Sequence, residues 1–223
     1  MTTNVWHAIV AISALGLVAA SIPGPTRDLD ASALHVEGGP PDTLVADPAA
    51  SAIRWKGTKF GGRGSHEGHV RLSSGMFVIR HERLTSGTFT IDMKSLDVTD
   101  IPASDSVPRR RLRDHFQNAD FFDVERHPTA VFSSTGATRI GPTRWRVAGG
   151  LTMRGVTKPI TFDADVQWPE LGHMVAISTF TIDRQQWGVA YRGSRLANDL
   201  VDDEMQISLK LDARRKQAKV ATR

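Results

Sequence analysis

An all-β, antiparallel architecture, either a sandwich or a barrel, is what this sequence predicts, and three observations carry that reading. Eight or nine segments alternate apolar with polar residues, the period of half-buried strands. Connections containing Gly, Pro or Asn, such as "MRGVTKP", separate them. Only one stretch, at about 107–119, reads as a helix, with a further turn expected near Leu196 to Leu200.

Along the chain, the first 25 residues carry no Lys, Arg, Asp or Glu, and "AIVAISALGLVAA" at 8–20 is a 13-residue apolar run. A transmembrane helix needs about 20 apolar residues, so this run suits the core of a secretory signal followed by small residues at Val18, Ala19, Ala20 and Ser21. Residues 1–22 are therefore expected to be a signal peptide or an N-terminal anchor, the latter because the only basic group ahead of the run, apart from the α-amino group, is His7. Residues 23–48, rich in Pro, Gly, Asp and Ala with "GGPPD" in the middle, read as a flexible linker. The folded domain is expected at 49–213 and a basic tail at 214–223.

Within the domain the strand segments are 53–57, 70–72, 76–80, 129–133, 145–150 and 175–182, together with three whose alternation is clearest. "GTFTIDM" puts Phe89, Ile91 and Met93 on one face; "ITFDADVQW" does so with Ile160, Phe162, Ala164, Val166 and Trp168; "MQISLKLD" with Met205, Ile207, Leu209 and Leu211. An eight-stranded closed barrel of such strands has an interior filled by side chains or just wide enough for one small ligand.

Composition narrows the function classes. With 223 residues and 40% hydrophobic content the chain supports a proper core. It has no cysteine, so disulfides, lipidated thiols and thiol catalysis are excluded. The formal net charge of +4 is concentrated in "RRRLR" at 109–113 and in the C-terminal tail, a balance suited to anionic lipid surfaces or nucleic acid. Export disfavours nucleic acid and leaves membrane-surface contact.

Chemical motifs are weak. "SHEGH" at 65–69 spaces its histidines at i and i+3 instead of the i and i+4 of a helical zinc motif, so a hairpin loop is expected and no metal is assigned. "GGRGSHEG" is followed by no helix that would hold a phosphate, and reads as a wide turn. No serine lies in a G-x-S-x-G elbow. Asp92, Asp97, Asp100 and Asp183 fall at strand ends and turns, where capping is their common use. The "RRRLRDHF" run reads as a solvated helix face. In "NADFFDVERHPTAVFSS", Phe121 and Phe122 lie between acidic residues just ahead of a strand that starts at Pro128. Two rings are not left in water when burial is worth roughly 1.5–3 kcal/mol each, so something must cover them.

Five stretches in this order carry a family resemblance: "SAIRWKGTKFGGRGSHEGHVRLSSG", "LTSGTFTIDMKSLDVTD", "LRDHFQNADFFDVERHPTAVF", "GGLTMRGVTKPITF" and "FTIDRQQWGVAY". The chain resembles the YceI-like family of polyisoprenoid-binding proteins over about 49–212, departing from it in the arginine run and in "YRGSRLANDL". The resemblance implies an extended eight-stranded antiparallel β-barrel similar to the lipocalins, with an isoprenoid lipid or quinone held inside and no cofactor or bond-making chemistry. It places Phe121 and Phe122 near one end of the barrel, as a plug or a gate. The residues expected to line the cavity are Trp55, Phe89, Ile91, Phe132, Leu151, Phe162, Phe180 and Trp187, with Phe121 and Phe122 as further ligand contacts. The expected function is sequestration or transport of that lipid in the periplasm or outside the cell. The alternative is an envelope stress or structural protein with a side-chain-filled barrel, and an enzyme with a lipid-like substrate comes third.

Overall fold

A computed structural model of the protein describes residues 42–80, 83–190 and 200–216. The strands are β1 (Asp42–Ala46), β2 (Ala52–Lys59), β3 (Gly64–Arg80), β4 (Arg83–Val98), β5 (Thr129–Arg139), β6 (Arg144–Met153), β7 (Val156–Glu170), β8 (His173–Asp183) and β9 (Val201–Arg215), with helix α1 (Ser106–Gln117) between β4 and β5. All pairings are antiparallel, and because β3 pairs with β4 as well as with β2, the sheet closes on itself. Closure leaves no continuous unpaired edge.

The nine strands occupy eight positions in that ring. β1 pairs with β3 through 42–45 and with β9 through 44–46, while β2 pairs with the same two neighbours farther along, through Ile53 and its successors. One stave is thus built from two pieces. The break lies at Pro48, which has no N–H for the ladder, and Asp47 closes the turn by accepting from the N–H of Ala49 at 2.8 Å and, through its carbonyl, of Ser51 at 3.0 Å. Asp42–Ala46, assigned from composition to the end of the linker, is therefore strand, with Leu44 and Ala46 buried. Residues 1–41, nearly all of the turn expected near Leu196 to Leu200, most of "YRGSRLANDL" and residues 217–223 lie outside the described residues.

Two other expectations change. The "SHEGH" stretch is strand: β3 begins at Gly64, and the turn before it is 60–63, where Gly61 and Gly62 take φ of 63° and 84°. Trp168 does not continue the inward series of β7, because pairing with β8 shifts between Gln167 and Glu170; it is exposed at the rim. The other inward residues of the three best-patterned segments all face the interior.

α1 lies against β4 at one end of the barrel. Pro108 falls in its first turn, where a missing N–H costs nothing. Its sides dock by Leu112 and Phe116 on the core, by Arg109 on Asp97 at 2.6 Å, and by Gln117 on the carbonyls of Lys94 and Leu96 at 3.3 Å. Arg110 and Arg111 are exposed, so the arginine run is part solvated face and part helix anchor.

Candidate binding cavity

Inward alternation on eight staves produces an apolar lumen of about 140 Å³ walled by 30 residues. Ser134 has the one hydroxyl in that wall, and it donates within its own strand to the carbonyl of Gly136 at 3.4 Å. Five phenylalanines form a ladder across successive staves: Phe77 to Phe89 with centroids 4.8 Å apart, Phe89 to Phe132 at 6.1 Å, Phe132 to Phe162 at 5.5 Å, and Phe162 stacked on Phe180 at 4.4 Å. β6 lies between Phe132 and Phe162 and contributes no ring. Its Gly149 makes the crossing possible, since a Cβ there would meet the Phe132 ring and the Ser133 carbonyl at 2.5 Å.

Of the expected lining residues, Trp55, Phe89, Ile91, Phe132, Leu151, Phe162 and Phe180 reach the lumen, and Phe122 joins them. Trp187 does not. It is fully buried at the end of a short 3-10 helix (Arg184–Trp187), and its indole N–H donates to the carbonyl of Leu151 at 2.8 Å, which makes it a strap between that helix and β6. Phe121 is also off the lumen, in the adjoining vestibule. Four methionines also line the lumen: Met93 and Met205, which the alternation places on inward faces, and Met153 and Met174, which the sequence reading does not single out.

The two ends differ. At the α1 end the inward series of β2 runs Ile53, Trp55, Gly57, Lys59 and that of β3 runs Leu72, Val70, Gly68, His66, so the lumen opens into a mainly apolar vestibule of about 310 Å³ whose wall also carries charged side chains. Trp55, Phe122 and Met205 line both compartments. Trp55 meets Phe116 edge-on at 5.3 Å, Phe116 meets Phe121 at 5.1 Å, and Phe121 meets Phe122 at 5.2 Å. This cluster and α1 are what cover the two phenylalanines. The guanidinium of Arg154 fixes their loop, donating to the carbonyls of Phe121 and Ala119 and, at 2.6 Å, to that of Gly188. Trp55 can lie flat across β3 because Gly68 has no side chain; a Cβ there would come within 2.7 Å of the indole.

Charges around the vestibule are held in place. His66 contacts Asp100 at 2.8 Å and Lys59 at 3.4 Å. His69, an odd number of residues along the same strand, lines a different surface groove beside Asp97 and Arg113, so the two histidines do not converge. Asp202 accepts from Thr58 at 2.5 Å and from the N–H groups of Gly61 and Gly62 at 3.0 Å, and the Thr58 hydrogen bond leads the effects that lower its pKa. Arg184 is buried, which pulls its pKa down, while Asp203, Asp183 and Asp202 oppose that. At the opposite end an open basin, which Val166 shares with the lumen, is lined by Leu44, Ile79 and Trp145 and by the charged Asp42, Arg80, Arg139, Glu170 and Arg215.

Fold and lumen together define the class: a closed eight-stranded antiparallel β-barrel with one short helix and a wholly apolar interior. The chain belongs to the YceI-like domain family, which it matches over residues 44–213. Among curated relatives it is 44% identical over 50 residues to a UPF0312 protein of Azotobacter vinelandii, covering 22% of this chain and 26% of that one. It is 35% identical over 83 residues to Protein YceI of Escherichia coli O157:H7, covering 35% and 43%. The chain thus aligns with less than half the length of these relatives. Among solved structures, Burkholderia cenocepacia BcnA superposes with a TM-score of 0.63 at 22% identity, over 75% of this chain and 98% of that one. A polyisoprenoid-binding domain from Saccharophagus degradans, implicated in plant cell wall breakdown, gives 0.57 at 15% identity, over 79% and 100%. At these identities the superpositions establish a shared fold.

Proposed function

We propose that this protein holds a long apolar isoprenoid lipid, polyprenyl or quinone-like, in its barrel within the cell envelope, as a carrier or store and without making or breaking a bond. The observation that carries this reading is the lumen wall, in which none of the 30 described residues turns an ionisable group inward. Such a wall rejects charged substrates, because an unpaired charge in an apolar site costs several kcal/mol. It rewards hydrocarbon, at about 0.8 kcal/mol per buried methylene. The polyisoprenoid-binding description of the Saccharophagus degradans domain supports the ligand class. The uncharged apolar run at 8–20 supports the compartment, and the basic residues of the C-terminal region suit contact with an anionic membrane surface.

A second reading is favoured by one number. A lumen of about 140 Å³ matches the volume that accepts a benzene-sized guest, so a barrel filled by its own side chains and acting through its surface fits the resting state. The long-chain reading needs the lumen to widen on loading. The four lining methionines provide for that, since their unbranched side chains repack at little cost.

Thermal unfolding tests the proposal. A ligand at a hundred times its Kd stabilises the folded state by about 2.7 kcal/mol, so a prenylated benzoquinone or a polyprenol of equal chain length should raise the Tm. An unchanged Tm with both lipids and with squalene would favour the filled barrel.

A further inference from the structure

Trp55 is nine-tenths buried at the boundary between lumen and vestibule, and among the described residues its Nε1 atom has no hydrogen-bond partner. A buried N–H without an acceptor is an exception in folded proteins, because the donor has lost water and gained nothing. The contrast with Trp187 is direct. That indole, enclosed still more fully, is satisfied by the Leu151 carbonyl. The same boundary is where the inward-facing residues change from Ile53 and Val70 to Lys59 and His66. An amphipathic lipid lying along the barrel would meet hydrocarbon walls until it reached either end, and among the described residues only this end presents a buried donor without a partner.

We propose that the α1 end of the lumen is the head site for an amphipathic isoprenoid, and that the Trp55 indole N–H donates to a neutral oxygen acceptor on that head, a carbonyl or a hydroxyl. The assignment rests on the isoprenoid reading above and adds the direction in which the lipid lies and the chemistry of its head. An indole is a donor only, so its partner must accept. The head is neutral because the formal charges in the vestibule wall cancel: Lys59 and Arg184 stand against Asp202 and Glu204. Arg184 is moreover committed to the carbonyls of Val189 at 2.6 Å and Val201 at 2.8 Å. Among the described residues a phosphate there would meet two carboxylates, and the one guanidinium in the wall, that of Arg184, is already engaged. The tail would then run past Phe132, Phe162 and Phe180 toward the opposite basin.

Two measurements test this on the delipidated protein, with four probes: a prenylated benzoquinone, a polyprenol and a polyprenyl phosphate of one chain length, and squalene, which has no oxygen. In ¹H–¹⁵N spectra of the parent protein the Trp55 indole resonance should move downfield with the quinone or the polyprenol and stay in place with squalene. This readout does not depend on any variant folding. In titrations, Trp55→Phe should weaken the oxygenated lipid about five- to tenfold more than it weakens squalene, the size of one lost hydrogen bond. Whichever neutral probe shows the larger loss identifies the head as carbonyl or hydroxyl. A stationary indole resonance with both neutral heads, or equal weakening of squalene, would overturn the head site while leaving lipid binding intact. Tighter binding of the phosphate than of the polyprenol would overturn the neutral head. Failure of all four probes to bind the parent would instead remove the isoprenoid reading itself, and the head site with it.

Discussion

Gly149 shows how a single missing side chain shapes the lumen. The Phe132 ring and the Ser133 carbonyl both lie 2.5 Å from where its Cβ would be, and neither the ring ladder nor the β5 backbone can yield without disturbing packing. Gly149→Ala should therefore destabilise by about 1–3 kcal/mol, the usual cost of overpacking a core. Gly136→Ala, where a Cβ meets nothing within 4 Å, is the control and should leave the denaturation midpoint unchanged. Phe121 and Phe122 are the second test at this scale. Both are buried, so truncating either should cost about 3–5 kcal/mol, read in chemical denaturation. Only Phe122 lines the lumen, so Phe122→Ala should also speed release of a bound isoprenoid, and Phe121→Ala should do so much less. Equal release rates would leave the pair a plug. The sequence displayed the rings and the need to cover them, but their division of labour depends on a loop held by Arg154, some thirty residues away in the chain, which no local pattern announces.

At the scale of elements, α1 is tied to the barrel by charge as much as by packing, and that gives it a pH dependence. Asp97 and Asp100 close the end of β4 nearest the helix. Burial opposes ionisation of Asp97, but hydrogen bonds from Arg109 and from the Val98 N–H more than offset it and lower the pKa. For Asp100 burial is likewise outweighed, by His66 and by the Glu67 N–H. A carboxylate whose folded pKa is depressed stabilises the fold above its unfolded pKa, about 3.9, and that contribution is lost as pH falls through the lower folded value. Hydrogen exchange should thus find the amides of α1 losing protection below about pH 4 before those of β6 to β8. Asp97→Asn should show α1 already loosened at neutral pH and should flatten the pH dependence; equal loss of protection in α1 and in the barrel would contradict it. Elements differ in legibility for physical reasons. β4, β7 and β9 alternate cleanly because one face meets the lumen and the other water, and their patterns read directly. β1 was hidden by its Pro- and Ala-rich flanks, since it is half a stave completed by β2. The Gly64 to His69 part of β3 was hidden because its inward face is glycine and histidine, the signature of a vestibule and not of a core.

At the scale of the molecule, the ring of eight staves does two things at once. It gives every stave a partner on both sides, which lets a chain with no cysteine stabilise itself by sheet pairing and burial alone, and it leaves along its axis a lumen lined by alternate residues of every stave. Most of the lining was legible because period 2 is a local property; Trp187 was misplaced because a ring in a 3-10 helix obeys no such period. The central claim is that the lumen holds an isoprenoid, and native mass spectrometry of the protein released gently from the cells that make it tests it most directly. The account predicts a population heavier than the polypeptide by the mass of one lipid, which fragments to a prenyl series and carries a neutral oxygenated head. A single species at the polypeptide mass, unchanged after incubation with prenylated quinone and polyprenol, would contradict it.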